Sequence, residues 1–334
     1  MSNWTSFEPS KHYIINSSTP SAQYRSRKDE VKTTVHWGQR KLFLTVLQFM
    51  TLYVDVGVGK TPKIVYAGAA PGHNIALLSK LFPTCEFHLY DMNPFSKLLN
   101  DNPKIKLYKQ LFLDDDAKKW TEVGETYLIS DIRRDTAGMD TKNAEIVIQG
   151  DMEMQKKWYE IMKPKYAHFK FHLPYSGLGL GVSTEYLNGT VYVQPWRGPS
   201  STECRLVPKW GEKKIWNNKL YEDQNFYINT VLREGTRFTN PLTGTNTPID
   251  GEELQNDYDS AMEINILMDY LKKFSPNPHE DIKYVVNLSH ILTKTITFNM
   301  SQINSEVYLK HLRKDIHLLA PKTSIFKEYS EVEE

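Results

Sequence analysis

Short strand-like runs alternate with helical runs along the middle of the chain, and this alternation constrains the fold more than any other feature. The strand-like runs, within residues 63–173, read KIVYAGA, EFHLYD, KIKLYKQLF, TYLISDI and AHFKFHL. Strands that alternate with helices predict an α/β fold with a mostly parallel sheet and helices on both faces. Two later runs, TVYVQPW and ECRLVPKW, lie close together and predict an antiparallel end to that sheet.

The chain has 334 residues, which is enough for one large α/β domain. The polar first residues predict an N-terminal arm over 1–30, mobile or loosely docked. We expect a single domain over 31–320, with helical additions from about residue 215, and a polar tail over 321–334. Ser260 and Glu263 have the spacing of a capping box, which predicts a helix beginning there.

Composition limits the classes of partner and compartment. There are 41 basic and 40 acidic residues, so a nucleic acid would have to bind a local basic cleft rather than a generally basic protein. Cys85 and Cys204 are too few for a disulfide framework or a cysteine metal site, and we expect no metal. No apolar leader or membrane-length run is found, so we expect a soluble, cytoplasmic protein.

A glycine-rich turn between a predicted strand and a predicted helix indicates a cofactor site. The turn runs from Tyr66 through Gly68 to Gly72, and the next predicted strand ends at Asp91. The G-x-x-x-G spacing differs from dinucleotide and phosphate-loop patterns, so it favours a nucleotide-like cofactor without phosphate, such as S-adenosylmethionine. Asp91 would accept hydrogen bonds from the ribose hydroxyls. Phe112, after the third strand, would contact adenine or simply pack in the core, and the sequence does not separate the two.

Four charged residues lie where this fold would gather them: Lys41, Asp131, Lys170 and Glu203. Asp131 and Lys170 follow or end predicted strands, on the rim where open α/β sheets bind ligands. A lysine serves as a general base only if burial and neighbouring cations lower its pKa, and carboxylates would orient it. Taken singly, each of the four is better explained as a solvated surface residue, although the strand-end positions favour a role for Asp131 and Lys170.

These motifs occur together in one order along the chain. The stretches that carry a family resemblance are Gly38-Gln39-Arg40-Lys41-Leu42, Tyr66 to Gly72, Ile129-Ser-Asp131-Ile-Arg133, Lys170 with Pro174-Tyr175, Ser201-Thr-Glu203-Cys-Arg205, Tyr221-Glu222 and Tyr227-Ile-Asn229. The set resembles the Lys-Asp-Lys-Glu methyltransferases that modify RNA 2′-hydroxyls. It is most similar to the poxvirus cap-specific mRNA 2′-O-methyltransferases, which also serve as stimulatory subunits of the viral poly(A) polymerase.

The resemblance implies a Rossmann-like fold and S-adenosylmethionine as the cofactor. The residues implied to contact it are Gln39, Tyr66, Gly68, Gly72, Asp91, Asn93, Phe112 and Asp131. Asn93 stands where the family has an arginine. The resemblance makes Lys170 the general base, with Lys41, Asp131 and Glu203 tuning and orienting it.

Family members bind a 7-methylguanine cap between two aromatic rings, with acids at the edge of the base. Tyr175 matches one ring and Glu222 one acid, whereas Gly177 stands at the position of the second acid. Tyr24 in the arm is our candidate for the second ring, with Tyr13 as the fallback. Further contacts with the RNA are assigned to Arg133, His172, Ser201 and Arg205.

The function expected from the sequence is methylation of the 2′-hydroxyl of the first transcribed nucleotide of capped mRNA, from cap 0 to cap 1. The setting would be viral, in the host cytoplasm or the virion, with the capped 5′ end and a poly(A) polymerase catalytic subunit as partners. Two alternatives stay open at this point. One is a 2′-O-methyltransferase acting on another RNA, and the other is a catalytically silent polyadenylation factor.

Overall fold

A computed structural model of the chain describes residues 4–25, 27, 33–100, 102–247, 254–274 and, nearer the C-terminus, 285, 286, 288, 289, 292 and 293. The predicted tail over 321–334 and the end of the predicted domain lie outside these residues. Within the described part of the chain, no helix is long and apolar enough to span a membrane.

The described residues form ten strands and seven α-helices. The strands are β1 (Trp4–Thr5), β2 (Ile14–Ile15), β3 (Lys63–Ala67), β4 (Glu86–Tyr90), β5 (Ile105–Tyr108), β6 (Thr126–Ser130), β7 (Tyr166–Phe171), β8 (Ser183–Tyr192), β9 (Cys204–Asn217) and β10 (Arg237–Phe238). The helices are α1 (Pro9–His12), α2 (Gly38–Tyr53), α3 (His73–Leu81), α4 (Asp114–Lys119), α5 (Thr141–Met162), α6 (Asn218–Tyr227) and α7 (Tyr258–Phe274).

Eight of the described strands form one sheet in the order β2-β8-β9-β7-β6-β3-β4-β5. From β7 to β5 all neighbours are parallel, whereas β9 is antiparallel to both β7 and β8. The prediction of a mostly parallel sheet with an antiparallel end is therefore confirmed, and helices surround it. The central strand β6 is buried at every position, as expected for a parallel strand covered on both faces.

The sheet contains a crevice where the chain reverses its direction of progress. From β3 the chain moves outward through β4 and β5, then returns to lay β6 on the other side of β3. Open α/β sheets bind ligands at the carboxyl ends of strands that flank such a reversal. Gly68 directly follows β3 and Asp131 directly follows β6, so the fold brings the two predicted motifs to one place.

Within the N-terminal arm expected from the sequence, the described residues 4–25 pack against the sheet and α6. Tyr13 and Ile15 are buried, and β2 adds an antiparallel edge strand to β8. The Gln224 side chain on α6 donates to the carbonyls of Asn16 (2.8 Å) and Thr19 (3.0 Å). A few apolar residues among the polar ones are enough to dock this segment, because each buried large side chain contributes about 1.5–3 kcal/mol.

Helix α7 begins at Tyr258, so the predicted capping box of Ser260 and Glu263 is wrong. Asp257 caps the helix instead, and its Oδ1 accepts from the Ser260 backbone nitrogen at 2.8 Å. Glu263 points inward, where its carboxylate pairs with the guanidinium of Arg40 on α2 at 2.7 Å. A glutamate with the spacing of a capping box is here used to join two helices.

Candidate active site

The four predicted charged residues meet at the carboxyl ends of the central strands. Lys41 lies in the first turn of α2, and its Nζ is 3.1 Å from Oε1 of Glu203, which directly precedes β9. Lys170, in β7, places its Nζ 3.0 Å from Oδ1 of Asp131. The Lys170 ammonium also donates to the Asp131 backbone carbonyl at 3.1 Å. The structure therefore assembles two lysine–carboxylate pairs from four separate elements.

Arg205 joins these two pairs, and this role was not expected from the sequence. Its Nη2 lies 2.6 Å from Asp131 Oδ1 and 3.6 Å from Glu203 Oε1. The side chain is only 2% exposed, and the contact with RNA expected of it stays a prediction. Arg205 lies opposite Lys170 in the β7–β9 register, and this pairing turns both side chains toward one site.

A second unpredicted residue, Gln194, bridges the same groups. Its Nε2 donates to Glu203 Oε1 (3.1 Å), while its Oε1 accepts from Arg205 Nε (2.8 Å). Gln194 follows β8, and its position depends on the pairing of β8 with β9. Nothing in the local sequence marks it, because a glutamine alone is most often a surface residue.

Burial and charge act together on the lysine and the two acids. Burial lowers the pKa of Lys170; Asp131 and Glu203 oppose this effect and Arg205 adds to it, leaving the pKa below its ordinary value. Burial by itself raises the pKa of Asp131, but Arg205 and Lys170 outweigh it, so the pKa is lowered. The pKa of Glu203 is lowered further, because Lys41, Lys170 and Arg205 outweigh burial. Both acids are therefore ionised beside a lysine that loses its proton more readily than usual.

Arg133 lies at the mouth of the cluster. Its guanidinium is 3.5 Å from Glu203 Oε2 and 3.8 Å from Asp151 Oδ2, and its side chain is 25% exposed. Ser201 supports the turn before Glu203, since its Oγ accepts from the Glu203 backbone nitrogen at 3.1 Å. The Ser201 carbonyl accepts from the Asn229 side-chain amide at 2.9 Å. Of the predicted RNA contacts, Arg133 is thus more exposed than the buried Arg205.

The glycine turn is built by close backbone contacts. Gly68 has a φ of +78°, and a Cβ there would lie 2.9 Å from the Ile132 nitrogen and 3.0 Å from the Asp131 carbonyl carbon. Gly72 has a φ of +76°, and its Cβ would meet Leu99 at 2.8 Å. Both positions favour glycine, because other residues rarely adopt this conformation, and at Gly68 the backbone of residues 131–132 leaves no room for a side chain.

Asp91 lies at the end of β4, beside the glycine turn. Its Oδ2 accepts from the Ala70 nitrogen at 3.0 Å, and its Oδ1 accepts from the Asn93 backbone nitrogen at 2.9 Å and side-chain amide at 3.0 Å. Oδ1 already accepts two hydrogen bonds, so Oδ2 is the oxygen with a lone pair left for a ligand. Asn93 is exposed and holds Asp91, which places it at the same rim.

The other predicted cofactor residues differ in environment. Phe112 is buried and packs edge-on against Tyr90 (4.9 Å) and Trp158 (5.1 Å), so its core-packing role is established and the adenine contact stays a prediction. Tyr66 is buried within β3, and Gln39 is half-buried in the first turn of α2 beside Lys41. Metal-binding clusters of three or more His, Cys, Asp or Glu are absent from the described residues.

Two tyrosines predicted to stack on a base lie next to each other. The rings of Tyr24 and Tyr175 have centroids 6.1 Å apart and planes tilted by 31°. Tyr24 is 38% exposed, and its backbone nitrogen donates to Asp223 on α6 at 2.7 Å. A flat base between two rings needs them roughly 7 Å apart, or two layers of about 3.5 Å. The two rings are therefore slightly too close to hold a base, and a rotation of the exposed Tyr24 ring would widen the gap between them.

Tyr13, the fallback for this position, is excluded by its location. Its ring is buried, and its hydroxyl donates to Asp269 on α7 at 2.9 Å. The acid predicted for the slot, Glu222, is buried on α6 and accepts from the hydroxyl (2.6 Å) and the backbone nitrogen (3.4 Å) of Ser176. Gly177 is exposed, and no atom lies within 4 Å of where its Cβ would be.

His172, another residue expected to contact RNA, lies inside the protein, and that contact stays a prediction. Its side chain is 7% exposed, and Nε2 lies 2.8 Å from the Glu145 carboxylate. Its ring meets Tyr175 edge-on at 5.3 Å, from inside the protein. His172 therefore lies behind the tyrosine slot rather than in it.

Comparison with known proteins identifies the family of the chain. The family model described as "Poly A polymerase regulatory subunit" matches residues 9–303. Cap-specific mRNA (nucleoside-2′-O-)-methyltransferases of two Myxoma virus strains, Lausanne and Uriarra, are each 24% identical over 218 residues. The matched region covers 60% of this chain and 63% of each relative, so it spans less than two thirds of their length.

Proposed function

Because the chain belongs to the poly A polymerase regulatory subunit family, we propose that it methylates the ribose 2′-hydroxyl of the first transcribed nucleotide of capped mRNA. The observation that carries this proposal is the assembly of Lys41, Asp131, Lys170 and Glu203 at the carboxyl ends of the central strands. The Myxoma virus relatives, which are named for cap-specific methyl transfer, support the same reaction.

S-adenosylmethionine is the cofactor that the crevice fits. The backbone at Gly68 approaches residues 131–132 so closely that no side chain is tolerated, and Asp91 presents a carboxylate at the adjacent strand end. Both nitrogens of His73, immediately after the turn, are buried without a hydrogen-bond partner among the described residues. Buried polar groups normally have partners, so these nitrogens are consistent with a polar ligand at the turn. When bound, this cofactor supplies an electrophilic methyl group on a sulfonium centre.

Lys170 is the residue proposed to act on the ribose hydroxyl. Its lowered pKa increases the fraction of neutral amine, which accepts the hydroxyl proton as the oxygen attacks. Asp131 holds the Lys170 nitrogen at 3.0 Å and so fixes the direction of that acceptor. Lys41 and Glu203 form a second pair on the other side of Arg205, which leaves the cluster with more cations than anions.

The slot between Tyr24 and Tyr175 is proposed to bind the cap. A 7-methylguanine carries a positive charge spread over a flat ring, which favours stacking on electron-rich aromatic faces. Glu222 lies close by, since it binds the residue after Tyr175. We also propose that the chain associates with a poly(A) polymerase catalytic subunit, on the strength of the family description. Mixing the purified proteins and measuring their sedimentation would test that association.

The alternatives left open by the sequence are separated by one methyl-transfer assay on two RNA substrates. Transfer of labelled methyl groups to a short capped RNA, against the same RNA uncapped, distinguishes a cap enzyme from one that methylates RNA in general. A silent polyadenylation factor would label neither RNA. The intact charge cluster favours an active enzyme, because a silent factor has no need for two lysines held 3.0 and 3.1 Å from carboxylates.

Replacement of Lys170 tests the proposed base. We expect Lys170→Ala to lower the rate of methyl transfer by about 10²–10⁴-fold, which is the usual contribution of general-base catalysis. Binding of S-adenosylhomocysteine, measured by isothermal titration, should stay close to that of the unaltered protein. A loss of rate below about tenfold would exclude Lys170 as the base.

A further inference from the structure

Residues 16–25, which we call the strap, run from the edge strand β2 to the tyrosine slot without forming a helix or strand of their own. Helix α6 holds the strap through two neighbouring residues. The Gln224 side chain donates to two strap carbonyls, and the Asp223 carbonyl accepts from the Ala22 nitrogen at 3.1 Å. The Asp223 side chain then accepts from the Tyr24 backbone nitrogen, at 2.7 Å from Oδ1. An extended segment is thus ordered by one turn of one helix.

The Tyr24 ring also rests on this helix. It packs edge-on against the buried ring of Phe226, with centroids 5.6 Å apart and planes at 78°. Across the slot, the Tyr175 ring lies at 6.1 Å. The bond to Asp223 fixes the backbone from which the Tyr24 side chain extends, whereas the exposed part of the ring is free to turn and widen the slot.

The opposite wall of the slot is held by the residue next to Asp223. Glu222 accepts from the hydroxyl of Ser176 at 2.6 Å, and Ser176 directly follows Tyr175. Neighbouring residues of a helix have a fixed separation, because the hydrogen-bonded backbone has one regular geometry. The same turn of α6 therefore contacts the segments that carry both tyrosines.

We propose that Asp223 is a positioning residue, which fixes Tyr24 as one wall of the slot before a base arrives. This inference rests on the proposed function, because it deepens the assignment of the slot to the cap. Without the Asp223 bond, the strap would have to become ordered during binding, and the entropy lost in that ordering would lower the affinity. Asp223 would thus increase affinity without touching the ligand.

Asp223 is also an acid near a site proposed for a cationic base, so direct electrostatic attraction is the competing explanation. Its carboxylate is paired with Lys219, one turn earlier on α6, and this pairing offsets the charge. Asp223→Asn separates the two roles, since the amide oxygen still accepts from the Tyr24 nitrogen whereas the charge is gone. Asp223→Ala removes the acceptor as well, and alanine is well tolerated within a helix.

The experiment is an isothermal titration of the full chain with 7-methylguanosine triphosphate, on these two variants, Tyr24→Ala and the double variant Tyr24→Ala/Asp223→Ala. We expect Asp223→Ala to weaken binding about threefold to tenfold, as for one hydrogen bond, and Asp223→Asn to bind like the unaltered protein. Without the Tyr24 ring, Asp223→Ala should cause no further loss. All variants should bind S-adenosylhomocysteine normally. Unchanged affinity in Asp223→Ala, an equal loss in Asp223→Asn, or a further loss in the double variant would overturn the proposal.

Hydrogen exchange at the Tyr24 amide separates this inference from the proposed function, because it needs no ligand. The bond to Asp223 protects the amide until the strap opens locally. Asp223→Ala should speed exchange at Tyr24 about threefold to tenfold, and Asp223→Asn should leave it unchanged. If the unaltered protein does not bind the cap analogue, the cap assignment is lost, while the exchange rates still report whether Asp223 holds Tyr24. Unchanged exchange in Asp223→Ala would overturn the positioning role even if the cap analogue binds.

Discussion

Arg205 is a buried cation that adds to the effect of burial in lowering the pKa of Lys170, against the opposing effects of Asp131 and Glu203. It faces Lys170 across β7 and β9 and binds Asp131 Oδ1 at 2.6 Å, so it competes with Lys170 for the same carboxylate oxygen. A cation in this position both repels the Lys170 ammonium and weakens the attraction that Asp131 exerts on it. Both effects favour the neutral amine.

Methyl transfer should therefore rise with pH through the pKa of Lys170 and reach a plateau above it, because the amine is the active form. Arg205→Met removes a cation, which raises the pKa of Lys170. The rising limb should move to higher pH by roughly 1 unit, as nearby charges shift a pKa by ~1–3 units. Initial rates from neutral to alkaline pH would measure this shift. Arg205→Lys keeps the charge and should move the limb less; identical limbs for both variants would contradict the argument.

Gly177 offers a gain-of-function prediction at the slot. It is exposed, and a side chain there would meet nothing within 4 Å. Gly177→Asp should raise affinity for 7-methylguanosine triphosphate over guanosine triphosphate, because a second carboxylate near Glu222 attracts the cationic base. A charge-assisted hydrogen bond is worth ~1.5–3 kcal/mol. Gly177→Asn has the same size without the charge, and equal selectivity in the two variants would rule out the electrostatic explanation.

At the scale of elements, local patterns predicted the parallel strands and the crevice. The strand-like runs predicted a mostly parallel sheet with an antiparallel end, because buried parallel strands are short apolar runs with clear ends. The docking of the N-terminal segment and the start of α7 were not predicted. The N-terminal segment depends on β8, a long-range partner that local sequence does not display. The start of α7 is set by the local cap of Asp257, which the capping-box spacing of Ser260 and Glu263 obscured.

In the charge cluster, too, some features were predicted from the local sequence and others were not. Lys41, Asp131, Lys170 and Glu203 were identified because motifs surround them, and the structure brings them together. The interior position of Arg205 was missed because it arises from the antiparallel register of β9 against β7. A pattern of residue types identifies the chemistry of a site more readily than the side chains that support it from neighbouring strands.

Helix α7 contributes none of the four charged residues, but its Glu263 binds the two segments that carry Lys41 and Glu203. Glu263 binds Arg40, the neighbour of Lys41, through both carboxylate oxygens at 2.7 Å. The same carboxylate accepts from the indole nitrogen of Trp196 at 2.7 Å, in the segment that leads to Glu203. Arg40 and Glu263 are fully buried, so this contact is shielded from solvent. One acid therefore fixes the distance between both members of the Lys41–Glu203 pair.

Glu263→Gln should lower kcat by about tenfold to a hundredfold, because small displacements of catalytic groups have effects of this size. Breaking the buried pair should also lower the free energy of unfolding by about 3–5 kcal/mol. Tyr270→Phe is the matched control on the same helix, as it removes a buried hydrogen bond to the Leu81 carbonyl (2.7 Å) on α3. It should reduce stability and leave kcat unchanged. Rates at saturating substrates and chemical denaturation would measure both; an unchanged kcat in Glu263→Gln would refute the role.

At the scale of the whole molecule, charge is nearly balanced while the proposed site is locally cationic. The formal net charge is +1, so most basic side chains are matched by acids elsewhere on the chain. Lys60 is an example, since it binds Asp55 and Glu125 at the amino-terminal edge of the sheet. Attraction of RNA must therefore come from a few cations at the crevice rather than from a general field.

Salt dependence of RNA binding tests this local attraction, because each phosphate contact on a single strand contributes about −0.7 to the slope of log affinity against log salt. Arg133, 25% exposed at the mouth of the cluster, is the cation best placed for such a contact. Arg133→Gln should reduce the magnitude of the slope by about 0.7, measured by fluorescence anisotropy with a short capped RNA. Lys60→Gln, which removes an equally charged side chain at the opposite edge of the sheet, should leave the slope unchanged. Equal slopes for Arg133→Gln and the unaltered protein would mean that the RNA backbone passes elsewhere.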